Sequence, residues 1–230
     1  MRETTESPDQ ALSWATSLYG EASPFHFFTV RERFGCAERL DDTIWLTVER
    51  DDDFGLSAGP VAGALPSWRS CLIVDSPYGE RVGELRLQST WDFYTRRSEP
   101  LDHDVAPVDD AAAITALLQR DAPRSSVWPG AASIVEWYGA WDGDTLTGVA
   151  ALTRWQSGFH VVSSVATASA YRGRGVARRV MRGVINAANE RGVQWLGLGV
   201  AHSNDVAQRV YRDTGFVQRA HFSRYGLPED

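Results

Sequence analysis

Hydrophobic positions in the second half of the chain follow two periods. Val176, Ala177, Val180, Met181, Val184, Ile185 and Ala188 recur at three-and-four spacing, which predicts one buried face of a helix. Just before them, residues 159–167 are rich in β-branched side chains and predict a strand, as do residues 133–138. Residues 193–200 read as a further buried strand. A short helix follows, with Asn204 as its cap, Ala207, Val210 and Tyr211 on one face, and Gly215 as its terminator. Residues 105–118 read as an opening strand and first helix. In the first hundred residues the pattern predicts a helix at 10–19 and strands near 43–48, 70–74, 81–88 and 91–94, with 51–55 as a turn or exposed loop. A polar, proline-bearing stretch at 98–104 divides the chain into an amino-terminal α/β domain, residues 1–100, and a second domain, residues 101–230.

The junction at residues 171–177 carries the first chemical signal. Gly173 and Gly175 permit a tight turn, and the helix beginning at Val176 presents backbone N–H groups that no preceding turn can satisfy. With the positive end of the helix dipole behind them, these donors suit a phosphate or diphosphate. A dinucleotide fingerprint needs a small residue where Arg178 stands, and the nucleotide-hydrolase loop needs a lysine, of which the chain has none.

The pattern Asn204, Ala207, Tyr211, Gly215 and Phe216 fits N-x-x-A-x-x-x-Y-x-x-x-G-F at each fixed position, and Gly173 and Gly175 fit Q/R-x-x-G-x-G/A. Together they resemble the GNAT superfamily of N-acetyltransferases over residues 102–230. Ala170 departs from the glutamine or arginine expected there, at a loop that works mainly through backbone amides. The resemblance implies an α/β fold with a mixed, largely antiparallel central sheet flanked by helices, to which an amino-terminal α/β domain is added. It also implies acetyl-coenzyme A as cosubstrate, with no metal. Backbone groups of Gly173, Arg174, Gly175, Val176 and Ala177 would grip the diphosphate, and Val165 and Thr167 would pair with the pantetheine arm. Arg172 and Arg174 either reach phosphate oxygens or belong to a solvated basic face with Arg178, Arg179 and Arg182. Tyr211 is implied as the proton donor to the departing thiolate, against packing of the helix on the sheet as the other reading. Asn204 is a coenzyme contact, a helix cap, or both.

Acetyl transfer to an amine also requires loss of a proton, because an alkylammonium near pKa 10.4 is protonated at neutral pH. Glu136, a carboxylate among apolar strand residues, is the first candidate base, through a pKa raised by burial. His160 is the second, and a water chain without a single base is the third. Trp128, Trp137, Tyr138, Trp141 and Trp155 lie where the family builds one acceptor wall, or they are core.

The 43% hydrophobic content and nine tryptophans suffice for a core. Residues 1–100 hold 10 Arg against 17 Asp and Glu, while residues 101–230 hold 13 against 13, for a net charge of −7 that speaks against a nucleic-acid partner. Cys36 and Cys71 lack metal spacing and read as buried thiols of a reducing cytoplasm. The start is unlike a secretory signal, and no apolar run is long enough for a membrane helix. The first hundred residues match no named motif. They are a degenerate half of a tandem acetyltransferase, or a module shaping the acceptor pocket or a homodimer interface. Two functions from different classes stand at this point: acetyl transfer to a primary amine of a small molecule or peptide, and a non-catalytic module that senses acyl-coenzyme A.

Overall fold

The computed structural model describes residues 2–41, 43–47, 54–58, 69–74 and 81–228. The chain divides into two compact units that are not contiguous in sequence. The first comprises Met1–Tyr94, Gly199–Asn204 and Gln218–Asp230, and the second comprises Thr95–Leu198 and Asp205–Val217.

The first unit opens with strand β1 (Arg2–Thr5), helix α1 (Pro8–Tyr19) and helix α2 (Pro24–Phe28). Helix α1 starts where Ser7 accepts a hydrogen bond from the amide of Gln10, has Pro8 in its first turn, and stops at Gly20 with φ of 76°. Then follow β2 (Cys36–Leu40), β3 (Thr43–Thr47), β4 (Phe54–Ala58), β5 (Ser70–Val74), β6 (Arg81–Val82) and β7 (Leu85–Arg97). Phe54 and Gly55 open a strand rather than a loop, because residues 55–58 are buried and β4 pairs in parallel with β5. Residues 51–53 and 48 lie outside the described residues. The two strands expected at 81–88 and 91–94 are β6 and one long β7, joined by a turn at Gly83. The polar residues 88–90 interrupt the hydrophobic pattern without interrupting the backbone, since they are simply the less buried stretch of that strand.

Phe25, Phe27, Phe93, Phe222 and Tyr94 are fully buried in this unit, and Trp91 stacks on Phe222 at 4.6 Å between centroids. Cys71 is buried among Ile73, Val82, Leu85 and Tyr225, and burial pushes its thiol up to about 12. Cys36 is exposed, contrary to the expectation of two buried thiols, because it begins a strand whose first position faces outward. An aromatic disulfide reagent should therefore titrate one thiol rapidly in the native protein and the second only after unfolding; two fast equivalents would contradict the burial of Cys71.

The second unit contains β8 (Ala106–Pro107), α3 (Ala111–Asp121), β9 (Ile134–Asp142), β10 (Thr145–Arg154), β11 (His160–Thr167) and α4 (Val176–Glu190). It also holds most of β12 (Trp195–Ala201) and all of α5 (Asp205–Asp213), while β13 (Val217–Gly226) returns the chain to the first unit. Its strands run in the order β12-β11-β10-β9-β8, antiparallel except for the parallel pair β11 and β12. Among the described residues no helix is long and apolar enough to cross a membrane.

Trp137 and Tyr138 are adjacent on β9, point to opposite faces, and are both buried. Trp137 packs in a cluster with Ile114, Leu117 and Leu118 of α3, whereas Tyr138 packs beside Gly183 of α4. A helix on each face of the sheet explains why both aromatic positions are core, while Trp141 at the strand's end stays 40% exposed.

Candidate functional site

The site begins with a strand that leaves its neighbour. Strand β11 pairs with β12 only through His160–Leu196 and Val161–Gly197, so among the described residues its edge from 162 to 167 has no partner on that side. A bulge accompanies the departure. Val149 faces Ala166 and Ala151 faces Ser163, so Ser164 and Val165 together oppose a single residue of β10. Ser164 takes φ of 50°, an unusual value for a residue with a side chain. Its hydroxyl holds the position by donating to the carbonyl of Val127 at 2.7 Å and accepting from the Val127 amide at 3.1 Å. Serine at 164 carries no sequence signal, because neither the bulge nor its partner 37 residues away is visible in a local pattern. Ser164→Ala removes both bonds and should lower unfolding stability by about 1–3 kcal/mol. Urea titration measures this, and an unchanged midpoint would refute the latch.

Thr167, at the end of β11, has a buried hydroxyl oxygen without a hydrogen-bond partner among the described residues. The chain then makes a short 3-10 turn at Ser169–Tyr171 and enters the glycine loop. Three bonds fix this entry. The Asp121 carboxylate accepts the Ser169 amide at 3.0 Å, the Arg172 guanidinium donates to the Asp121 carbonyl at 3.2 Å, and the Tyr171 hydroxyl donates to Asp142 at 2.9 Å. Burial opposes ionisation of Asp121, but the bonds from Arg120 and the Ser169 amide outweigh it and hold the carboxyl below its usual range.

Gly173 and Gly175 both take the left-handed conformation, with φ of 76° and 80°. A Cβ at either would meet nothing within 4 Å, so the backbone angle requires glycine and the space beside it is open. Gly175 caps α4 without any side-chain hydrogen bond, so among the described residues the first-turn amides of Val176, Ala177 and Arg178 receive no side-chain cap from it. The helix start is pressed onto the sheet at Gly148, where a Cβ would lie 2.3 Å from Val176 Cγ1 and 3.7 Å from the Thr167 hydroxyl oxygen. Thr167, the loop and the first turn of α4 are thus one assembly.

Helix α5 joins it through Arg178, which is ion-paired with Asp213. Two residues before Asp213, Tyr211 is 8% exposed, and burial pushes its phenol up to about 12. The end of α5 explains the spacing of the second motif. Gly215 has φ of 83°, its amide donates to Arg212, and the Phe216 amide donates to the Tyr211 carbonyl at 3.0 Å. This is a Schellman ending, and the Phe216 ring meets Tyr211 at 6.5 Å as its hydrophobic contact.

The sequence profile of the acetyltransferase (GNAT) family matches residues 88–216, more than half of the chain. The chain belongs to this family. Among curated relatives, it is 31% identical over 94 residues to the uncharacterized N-acetyltransferase YsnE of Bacillus subtilis, a stretch covering 40% of this chain and 62% of YsnE. It is 27% identical over 141 residues to the uncharacterized N-acetyltransferase YedL of Escherichia coli, covering 59% and 89% respectively. A GCN5-related N-acetyltransferase from Kribbella flavida has a similar fold, with a TM-score of 0.55 at 15% identity over 82% of this chain and 87% of that one.

The remaining predicted residues of this GNAT chain fall as follows. Arg172 and Arg174 are turned into the loop itself: Arg172 reaches Asp121 and the Thr167 carbonyl, and Arg174 lies 5.2 Å over the Tyr171 ring. Arg179 pairs with Asp104. Asn204 closes the turn after β12, its amide donating to Ala201 at 2.9 Å. Glu136 is ion-paired at 2.7 Å with Arg191, at the carboxyl end of α4. Fifteen residues at 1.5 Å each separate that end from the glycine loop by about 22 Å. His160 is half-buried, and burial first, then Arg154 and Arg191, lower its pKa. Asp121, which accepts from the Ser169 amide at the loop entry, and Ser164, which holds the bulge, lie outside both sequence motifs.

Proposed function

We propose that this GNAT chain transfers an acetyl group from acetyl-coenzyme A to a primary amine of a small molecule or peptide. One arrangement carries this reading: the uncapped amino end of α4, with open left-handed glycines before it, stands beside the unpaired edge of β11. The first feature offers bare N–H donors and a helix dipole to a diphosphate. The second offers backbone groups of Val165 and Thr167, and the orphaned Thr167 hydroxyl, to the amides of a pantetheine arm.

The coenzyme supplies an activated thioester, whose carbonyl carbon the amine attacks as the carbon–sulfur bond breaks. In this proposal Gly173, Gly175, Val176 and Ala177 hold the diphosphate through their amides, with Arg174 adding charge at the rim. Arg172 acts from behind the loop, by fastening it to α3. Tyr211 donates a hydrogen bond to the sulfur as negative charge develops there. Because its phenol sits near 12, well above an ordinary thiol, stabilisation by donation precedes any complete proton transfer. Proton loss from the amine is assigned to water rather than to Glu136, whose carboxylate Arg191 already engages.

Calorimetry with acetyl-coenzyme A, followed by thiol release against a panel of amines and amino-terminal peptides, tests the reading. Saturable binding with amine-dependent thiol release is expected. Binding that is unaffected by Gly175→Val would remove the diphosphate assignment, and absence of release with every amine would remove the transferase assignment.

A further inference from the structure

The sequence reading expects no metal, yet within the first unit three metal-ligating side chains converge. Asp92 lies on β7, His221 on the neighbouring β13, and His202 one residue beyond β12 on the other side. The strand order β13-β7-β12 therefore places the carboxylate between two imidazoles. His221 Nδ1 is 2.7 Å from one carboxylate oxygen and His202 Nδ1 is 3.0 Å from the other. The two rings meet edge to face at 4.6 Å between centroids, and one ligand atom from each residue lies within 4.8 Å of the others.

Burial grades across the trio. The Asp92 side chain is 1% exposed, that of His221 31% and that of His202 60%. A carboxylate so deeply buried is stable only where hydrogen bonds or a cation meet its oxygens. The partly exposed imidazoles, above all that of His202, give an ion a path from solvent to the carboxylate. The surroundings also orient the carboxylate. Gln218 donates to Asp92 at 3.2 Å, and the Tyr94 hydroxyl, 3.4 Å from the amide oxygen of Gln218, fixes which way that amide faces. The His202 backbone is tied to β7 through the Thr90 carbonyl at 3.3 Å. Two imidazoles and one carboxylate, with an outer partner on the carboxylate, form a donor set for a divalent transition ion rather than for magnesium or calcium.

We propose that Asp92, His202 and His221 bind one divalent transition metal ion, with zinc as the first candidate, joining β7, β12 and β13. The ion coordinates through the two Nδ1 atoms and a carboxylate oxygen, and water completes its shell. Coordination through Nδ1 requires that nitrogen to carry no proton, so each ring binds the ion as its Nε2–H tautomer.

The test uses the full chain, freed of any affinity tag and stripped with chelator, titrated calorimetrically with zinc chloride. One equivalent of zinc per chain is expected. Cobalt(II) should give visible absorption bands that zinc displaces. His202→Ala, at the exposed rim, should keep the native circular dichroism spectrum and abolish the cobalt bands, and Gln218→Ala should weaken zinc binding by about 10-fold. Failure of the parent chain to bind an equivalent of zinc would overturn the site and leave the trio as a hydrogen-bonded charge network. Equal binding by the parent and a His202→Ala/His221→Ala double variant would also overturn it, because the ion would then sit elsewhere.

Discussion

Replacing Tyr211 by phenylalanine is expected to lower turnover roughly 100-fold while leaving the affinity for coenzyme A unchanged. The variant keeps the ring that packs on Phe216 and loses only the hydroxyl. The proposed diphosphate clamp lies on α4 and is not altered. Steady-state thiol release gives the first quantity and calorimetry the second. Because burial places the phenol near 12, ionisation of Tyr211 should not produce a basic limb in the parent's pH profile across the ordinary assay range. Full turnover by the phenylalanine variant would end the assignment of Tyr211 to thiolate stabilisation. Parallel losses of turnover and binding would instead indicate a packing role.

The second large effect is expected at Gly148. A Cβ there would stand 2.3 Å from Val176 Cγ1 and 3.1 Å from the Ala166 carbonyl oxygen. Val176 is β-branched and stiff within a helix, so its methyl cannot swing aside cheaply. Gly148→Ala should therefore lift the start of α4 from the sheet, at about 1–3 kcal/mol of stability. The same displacement would spoil the alignment of the bare amides, so coenzyme affinity should fall by at least about tenfold, which corresponds to about 1.4 kcal/mol. Gly183→Ala is the control. It meets Val105 Cγ2 at 2.3 Å and Tyr138 at 2.9 Å, about two turns further along the same helix. A similar stability loss with near-normal coenzyme affinity is expected there. Should both variants lose affinity alike, the effect would belong to helix packing in general and not to the anion loop.

Local features explain what was readable in advance. The turn at Gly173 and Gly175 and the ending at Gly215 and Phe216 are conformations that a few consecutive residues specify by themselves. Left-handed backbone there demands glycine, and the spacing Tyr211 to Phe216 is the 6→1 bond of a helix end. Strands β8, β9, β11 and β12 of the second unit were legible because their patterns sit beside clear turn signals, whereas β10, buried on both faces, was not among the predicted strands. In the first unit, β4 was hidden because its opening Phe54 and Gly55 directly follow three aspartates, and the break within β7 was illusory because exposed strand residues look like loop.

The amino-acid sequence by itself determined the helix start that offers bare amides, the helix that carries Tyr211, and through their spacing the family. Those properties arise from hydrogen bonds spanning five residues or fewer. Tertiary structure alone decided that Glu136 is held by Arg191, 55 residues away, that Ser164 latches a bulge to Val127, and that Asp92 gathers two histidines from neighbouring strands. Each of these depends on strand register and helix docking. Only the simultaneous burial of many side chains fixes that register, so no local run of residues encodes it.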